Sequence, residues 1–117
     1  MGVLNIKKLL VRSHLGFDPH ASSHTQDLMI NISISYNSFL EEESDNPADA
    51  FDIVQLTNEI IGRAENSHFN LIEAFTRMVL NTVLEFDKVE SAKVEVKKLQ
   101  AIQFSGELSF VLEGSNR

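Results

Sequence analysis

Between residues 28 and 36 apolar and polar side chains alternate, with Ile30, Ile32, Ile34 and Tyr36 on one side and Asn31, Ser33 and Ser35 on the other. A period of two belongs to a strand with one dry face and one wet face. Residues 3–12 are also strand-like, with Val3, Leu4, Ile6, Leu9, Leu10 and Val11. A polar loop, Ser13 to Thr25 with Gly16 and Pro19, separates the two. The pair is expected to form an antiparallel hairpin across it, although the loop is long for that purpose. The acidic run Glu41-Glu42-Glu43-Ser44-Asp45-Asn46-Pro47 makes residues 37–49 a solvated connector. The period then changes. Ile53, Leu56, Ile60, Ile61 and Ala64 recur at three and four, which predicts a helix over 50–64. Leu71, Ile72, Phe75, Met78, Val79, Thr82, Val83 and Phe86 predict a second over 71–86. Ala92, Val94 and Val96, then Leu108, Phe110 and Leu112, return to the strand period.

The order strand, strand, helix, helix, strand, strand predicts an α+β domain. Two amphipathic helices can cover one face of a four-stranded antiparallel sheet. The other face is left with Asn31, Ser33, Ser35, Glu95 and Lys97, which suit water or the lumen of a larger barrel. At 117 residues the chain is expected to be one domain, 1–117.

Composition narrows the function classes. A net charge of -7 repels phosphate backbones, so nucleic acid is not an expected partner. A local basic patch, Lys93, Lys97 and Lys98, lies on one strand. There is no cysteine, which excludes disulfides and thiolate chemistry and fits a cytoplasmic protein. No apolar run approaches the ~18 residues of a membrane span. The opening residues, Met1 to Lys8, carry their charges after their apolar residues, unlike a secretory leader.

The candidate chemistry sits in a few places. Asn70-Leu71-Ile72-Glu73 reads as a helix start, with Asn70 as cap and a carboxylate one turn in. The same spacing serves either as a capping box or as an anchor for a polar heterocycle. Lys98 closes the run Ala92 to Lys98, as a solvated strand-end lysine or as a proton carrier. His20 and His24 share a loop with Asp18, and a histidine there suits base chemistry near neutral pH. Their spacing has no helix beneath it, so no metal is expected. His14 and His68 read as surface or boundary residues, Asp52 as an early-helix carboxylate, and Tyr36 as a core or interface residue. No glycine-rich phosphate loop, serine triad or cysteine nucleophile is visible.

Taken in order, Leu15-Gly16-Phe17, Gln26-Asp27, Asp49-Ala50-Phe51-Asp52, Asn70-Leu71-Ile72-Glu73 and Val94 to Ile102 resemble the dihydroneopterin aldolase family of T-fold pterin proteins. The resemblance covers nearly the whole chain. The proline-free tract Lys98-Leu99-Gln100-Ala101-Ile102 and the tract Ser67 to Glu73 are closer to the family's dihydroneopterin triphosphate 2'-epimerase branch. The resemblance implies a T-fold and retro-aldol chemistry on the side chain of dihydroneopterin or its triphosphate, without metal or other cofactor. It places Glu73 on the pterin's 2-amino and ring N–H groups. Ile72, Ala50, Phe51, Ile53, Phe17 and Asp18 stand around the substrate, and Lys98 moves protons around the ring. It implies a homo-oligomer, four subunits in a ring and two rings stacked, with each site shared between neighbours. Two family positions differ: the loop glutamate falls on Ala21 and the tyrosine on Ile53, and neither residue relays protons. The expected function is therefore a pterin enzyme, aldolase or epimerase. The alternatives are a pterin- or purine-binding relative without the chemistry, and a scaffold in which Glu73 only caps a helix.

Overall fold

A computed structural model describes residues 1–17, 25–99 and 107–116. Strand β1 is Gly2–Leu15 and β2 is Gln26–Tyr36; they pair antiparallel, as the hairpin reading expects. β2 also pairs antiparallel with β4, Ser91–Lys98, which pairs antiparallel with β5, Leu108–Ser115. Helix α2, Ile53–Glu65, packs on β1, and helix α3, Ile72–Leu84, packs on β4 and β5. The expected arrangement of two helices on one face of an antiparallel sheet is thus present.

The core lies between that face and the helices. Leu28, Ile30, Ile32 and Ile34 of β2 meet Val94 and Val96 of β4, and Leu56, Ile60, Phe75, Val79, Leu80 and Val83 descend from the helices. Each such side chain, taken fully out of water, contributes about 1.5–3 kcal/mol. Gly114 of β5 lets α3 sit close, since a Cβ there would stand 3.1 Å from both Leu80 and Leu84.

Three differences from the sequence reading have local causes. First, the sheet has five strands, not four. His68–Phe69 forms a short β3 that joins the edge of the sheet by pairing parallel with the end of β1. Second, residues 37–49 are not simply a connector. They hold a short helix α1, Phe39–Ser44, and a 3-10 turn, Pro47–Asp49. Asn37 Oδ1 accepts from the amide of Phe39, and Asn46 Oδ1 from that of Ala48. Lys88 anchors the acidic stretch by donating to Glu41 and to the carbonyl of Asp49. Third, β1 runs on to Leu15 because a bulge resets it. Ile6 pairs with Ile32 and Leu9 with Ile30, so Lys7 and Lys8 both stand opposite Asn31.

On the uncovered face Asn31, Ser33, Ser35, Glu95 and Lys97 are half-buried, largely against one another. Asn31 donates to Glu95 at 3.0 Å and Ser33 to Asn5 at 2.6 Å. No helix among the described residues is long and apolar enough to cross a membrane.

Candidate active site

One end of the sheet gathers most of the described candidate residues. The C-terminal end of β1, the N-terminal end of β2 and the C-terminal end of β4 coincide there. The register sets Ser13 beside Gln26 and Leu28 beside Lys98. Gln26 Nε2 donates to the carbonyl of Leu15. Gly16 then turns the chain with φ at 125°, a region that glycine alone adopts freely, and its amide donates to the carbonyl of Phe69 at 2.9 Å. This bond and the β1–β3 pairing fix the segment that leads into α3. Phe17, 76% exposed, projects from the same end.

Glu73 lies in the first turn of α3, where the helix's positive end favours a carboxylate. It is exposed and has no hydrogen-bond or ion-pair partner among the described residues. The expected Asn70 cap is not formed. Leu71 occupies the N-cap position in an extended conformation, φ -122° and ψ 140°, with no side-chain cap bond. Parallel pairing of His68 and Phe69 with β1 delays the helix by a residue, which leaves Asn70 outside it. Glu73 is therefore not held by a capping box. Ile72, the first helical residue, is half-buried against the core. Lys98 is half-buried at the end of β4, with no ion pair among the described residues. A cleft of about 400 Å³ at this end is lined by Arg12, Thr25, Gln26, Asp27 and Leu99, not by Glu73.

Ala50, Phe51 and Ile53 stand at the opposite end of the sheet. The Phe51 ring lies 5.5 Å from that of Tyr36, the last residue of β2, and 5.9 Å from Phe86. Ten residue steps of β2, Gln26 to Tyr36, separate the two ends, roughly 33 Å of extended strand. The candidate residues thus fall into two groups that cannot meet within one chain. Asp52 accepts from the amide of Gln55 at 2.9 Å and so caps α2, matching its reading as an early-helix carboxylate. Asp18, His20 and His24, with the Ala21 position, lie outside the described residues.

Sequence reasoning passed over one pair. His14 and His68 are brought ring to ring by the β1–β3 pairing. A two-residue strand leaves no periodic signal, so nothing in the sequence foretold the contact.

The family model described as dihydroneopterin aldolase matches residues 4–113. The dihydroneopterin triphosphate 2'-epimerase of Escherichia coli is 32% identical over 110 residues, covering 94% of this chain and 92% of that protein. The protein of the same name from Pseudomonas aeruginosa is 31% identical over 114 residues, 97% of this chain and 93% of its own. Among solved structures, Escherichia coli dihydroneopterin aldolase in complex with neopterin superposes with a TM-score of 0.91 at 19% identity, covering 98% of this chain and 100% of that one. A Burkholderia thailendensis dihydroneopterin aldolase bound to guanine superposes with a TM-score of 0.83 at 16% identity, covering 99% and 92%. The two structural likenesses speak for the fold.

Proposed function

This chain belongs to the dihydroneopterin aldolase family, and from that premise we propose that it processes the side chain of dihydroneopterin or its triphosphate, in the manner of the epimerase branch. In the proposed reaction the hydroxyl of the second side-chain carbon gives up its proton, the bond from that carbon to the ring-attached carbinol carbon breaks, the outer carbons leave as an aldehyde, and the electron pair passes into the pterin ring. Re-addition to the other face of the aldehyde, with reprotonation of its oxygen, yields the epimer; release of the aldehyde with protonation of the ring-attached carbon yields the aldolase product. Glu73 accepts from the 2-amino and ring N–H groups, an oriented charge-assisted contact. Lys98 carries protons to and from the ring. Ile72 and Phe17 border the ring from the same end, and Ala50, Phe51 and Ile53 close the site from a second copy.

One observation carries this reading: Glu73 and Lys98 lie at the same end of the sheet and neither side chain has a hydrogen bond or ion pair with another described residue. A carboxylate on a helix's first turn and an ammonium at a strand end, both without a polar side-chain partner among the described residues, suit an amidine-like edge and a protonatable ring. The half-sites at opposite ends support an oligomer in which each site is shared, the ring of four and the stacked octamer being the family's form.

A second reading rests on Ala21 and Ile53, where the family's glutamate and tyrosine are missing. General acid–base groups contribute about 10²–10⁴-fold each. A chain without both would bind a pterin or purine and turn it over slowly or not at all. Incubating the purified protein with dihydroneopterin and, separately, its triphosphate distinguishes the readings. The enzyme reading expects hydroxymethyl-dihydropterin or the 2'-epimer above a no-protein control. Saturable binding without product selects the second reading, and absence of both removes the two together.

A further inference from the structure

His14 and His68 are Cα partners where β1 and β3 run parallel, and their rings lie 5.4 Å apart, tilted by 33°. His14 Nδ1 is closed off from solvent and has no hydrogen-bond partner among the described residues. Proteins rarely leave such an atom unpaired, and a water or an ion commonly accounts for it. His68 is exposed, so the pair can be reached from solvent. We propose that His14 and His68 form a two-histidine site for a divalent transition-metal ion, which clips β3 to the end of β1.

The spacing fits that role. Imidazole nitrogens bind zinc at roughly 2.0–2.1 Å, and two rings on one tetrahedral ion stand about 5 Å apart between centres. Binding through Nδ1 of His14 fills the atom that is otherwise unpaired and leaves that ring's proton on Nε2. Imidazole selects borderline ions such as Zn²⁺, Ni²⁺ and Cu²⁺ over Mg²⁺ or Ca²⁺, which want carboxylates. No group of three potential ligands exists among the described residues, so water reaching the ion from the exposed His68 side completes the coordination. The clip would reinforce a pairing made by only two residues, next to the Gly16–Phe69 bond and the chain leading into Glu73. The proposal does not depend on the pterin reading.

Calorimetric titration of the full, tag-free chain with Zn²⁺ and Ni²⁺ tests it, with Mg²⁺ as the contrasting ion. One equivalent of Zn²⁺ or Ni²⁺ per chain is expected, with no saturable heat from Mg²⁺. His68→Gln and His14→Gln should each weaken binding by at least about tenfold. The doubly substituted His20→Gln, His24→Gln chain should bind like the parent. Because His68 is exposed, His68→Gln keeps the test decisive even if His14→Gln does not fold. Absence of saturable Zn²⁺ or Ni²⁺ binding, unchanged affinity in His68→Gln, or loss that follows His20 and His24 instead would overturn the assignment.

Discussion

The main-chain amide of Lys8 donates to Oδ1 of Asn31 at 2.8 Å, while Nδ2 of the same asparagine donates to Glu95 at 3.0 Å. One side chain of β2 thus joins the bulge of β1 to β4. The bulge decides which residues of β1 reach the core. Before it, Leu4 and Ile6 face the helices; after it, Leu9, Val11, Ser13 and Leu15 do. Without the extra residue the even positions would continue inward, and Arg12 would enter the core in place of Val11. The end of β1, with Gly16 and Phe17, is positioned by this reset.

Lys8 sits at φ 61°, a left-handed conformation that costs a non-glycine residue about 1–2 kcal/mol. Removing the support and removing the strain should therefore act in opposite directions. Asn31→Ala, which loses both bonds, is expected to destabilise by about 1–2 kcal/mol. Lys8→Gly is expected to stabilise by about 0.5 kcal/mol, the relief of strain less the extra freedom of an unfolded glycine. Urea unfolding of both variants measures this. If Asn31→Ala matches the parent, the bulge holds itself without the asparagine.

Two other glycines offer an opposed pair. Gly62 lies within α2, and a Cβ there would meet nothing within 4 Å. Gly62→Ala should stabilise by about 0.8–1 kcal/mol through helix propensity. Gly114→Ala puts its methyl 3.1 Å from Leu80 and Leu84, and Leu80 is fully buried. Overpacking of this kind costs typically about 1–3 kcal/mol. Midpoints of denaturant unfolding should move to opposite sides of the parent.

Acid should weaken two surface ties. The hydrogen bond from Arg63 holds the Glu85 carboxyl below the ordinary carboxylate range, and that from Lys88 does the same for Glu41. A carboxyl lowered on folding stabilises above its unfolded value, and that contribution is lost as pH falls through the folded one. Glu85 is exposed and Glu41 half-buried at the surface, so the effect is small and sensitive to salt. Melting temperature should fall between about pH 6 and about pH 3, and fall less for Glu85→Gln. The difference between the two curves should shrink in high salt. Parallel curves at low salt would mean that the Arg63 contact stabilises nothing.

The layered fold was legible because its signals are periodic. Ile30 to Tyr36 and Ala92 to Val96 alternate, and both helices repeat their apolar residues at three and four. What stayed hidden depends on contacts between distant segments. The helical turn at Phe39–Ser44 rests partly on Lys88, forty-odd residues away in the chain. The strand at His68–Phe69 exists because β1 offers an edge, and that pairing displaced the helix start from Asn70 to Leu71. The bulge at Lys8 is set by Asn31, whose place in a perfect alternation disguised its second role. For the candidate site, residue types and order were readable. That Ala50 and Glu73 end up about a strand's length apart was not, since it follows from the antiparallel course of α2 and α3.

Glu73 separates anchor from cap. Its carboxylate bonds to no described residue, so Glu73→Gln should cost no more than about 0.5 kcal/mol of stability, the loss of its interaction with the helix end. An amide cannot accept from both pterin donors at once. Neopterin binding should weaken by about 10–100-fold, the worth of a charged hydrogen bond. Thermal unfolding with and without neopterin reads both quantities. Lost stability with unchanged neopterin affinity would return Glu73 to a purely structural role.

The separation of the two groups of candidate residues makes the proposed sharing of a site directly testable. Ala50 is exposed, so Ala50→Trp should fold while filling the far half-site, just as Glu73→Gln disables the near one. Each variant alone should lack sites of parental neopterin affinity, Glu73→Gln binding about 10–100-fold more weakly. If each site takes one half from each of two neighbours, subunits unfolded together in equal amounts and refolded will re-form intact sites at about a quarter of the interfaces, wherever both contributing halves are unaltered. Neopterin binding should reappear at about that fraction. Mixing without refolding should recover nothing while the assemblies stay intact, which shows that exchange of subunits is the cause. If the refolded mixture stays inert although its hydrodynamic size matches the parent, the two halves do not belong to one site.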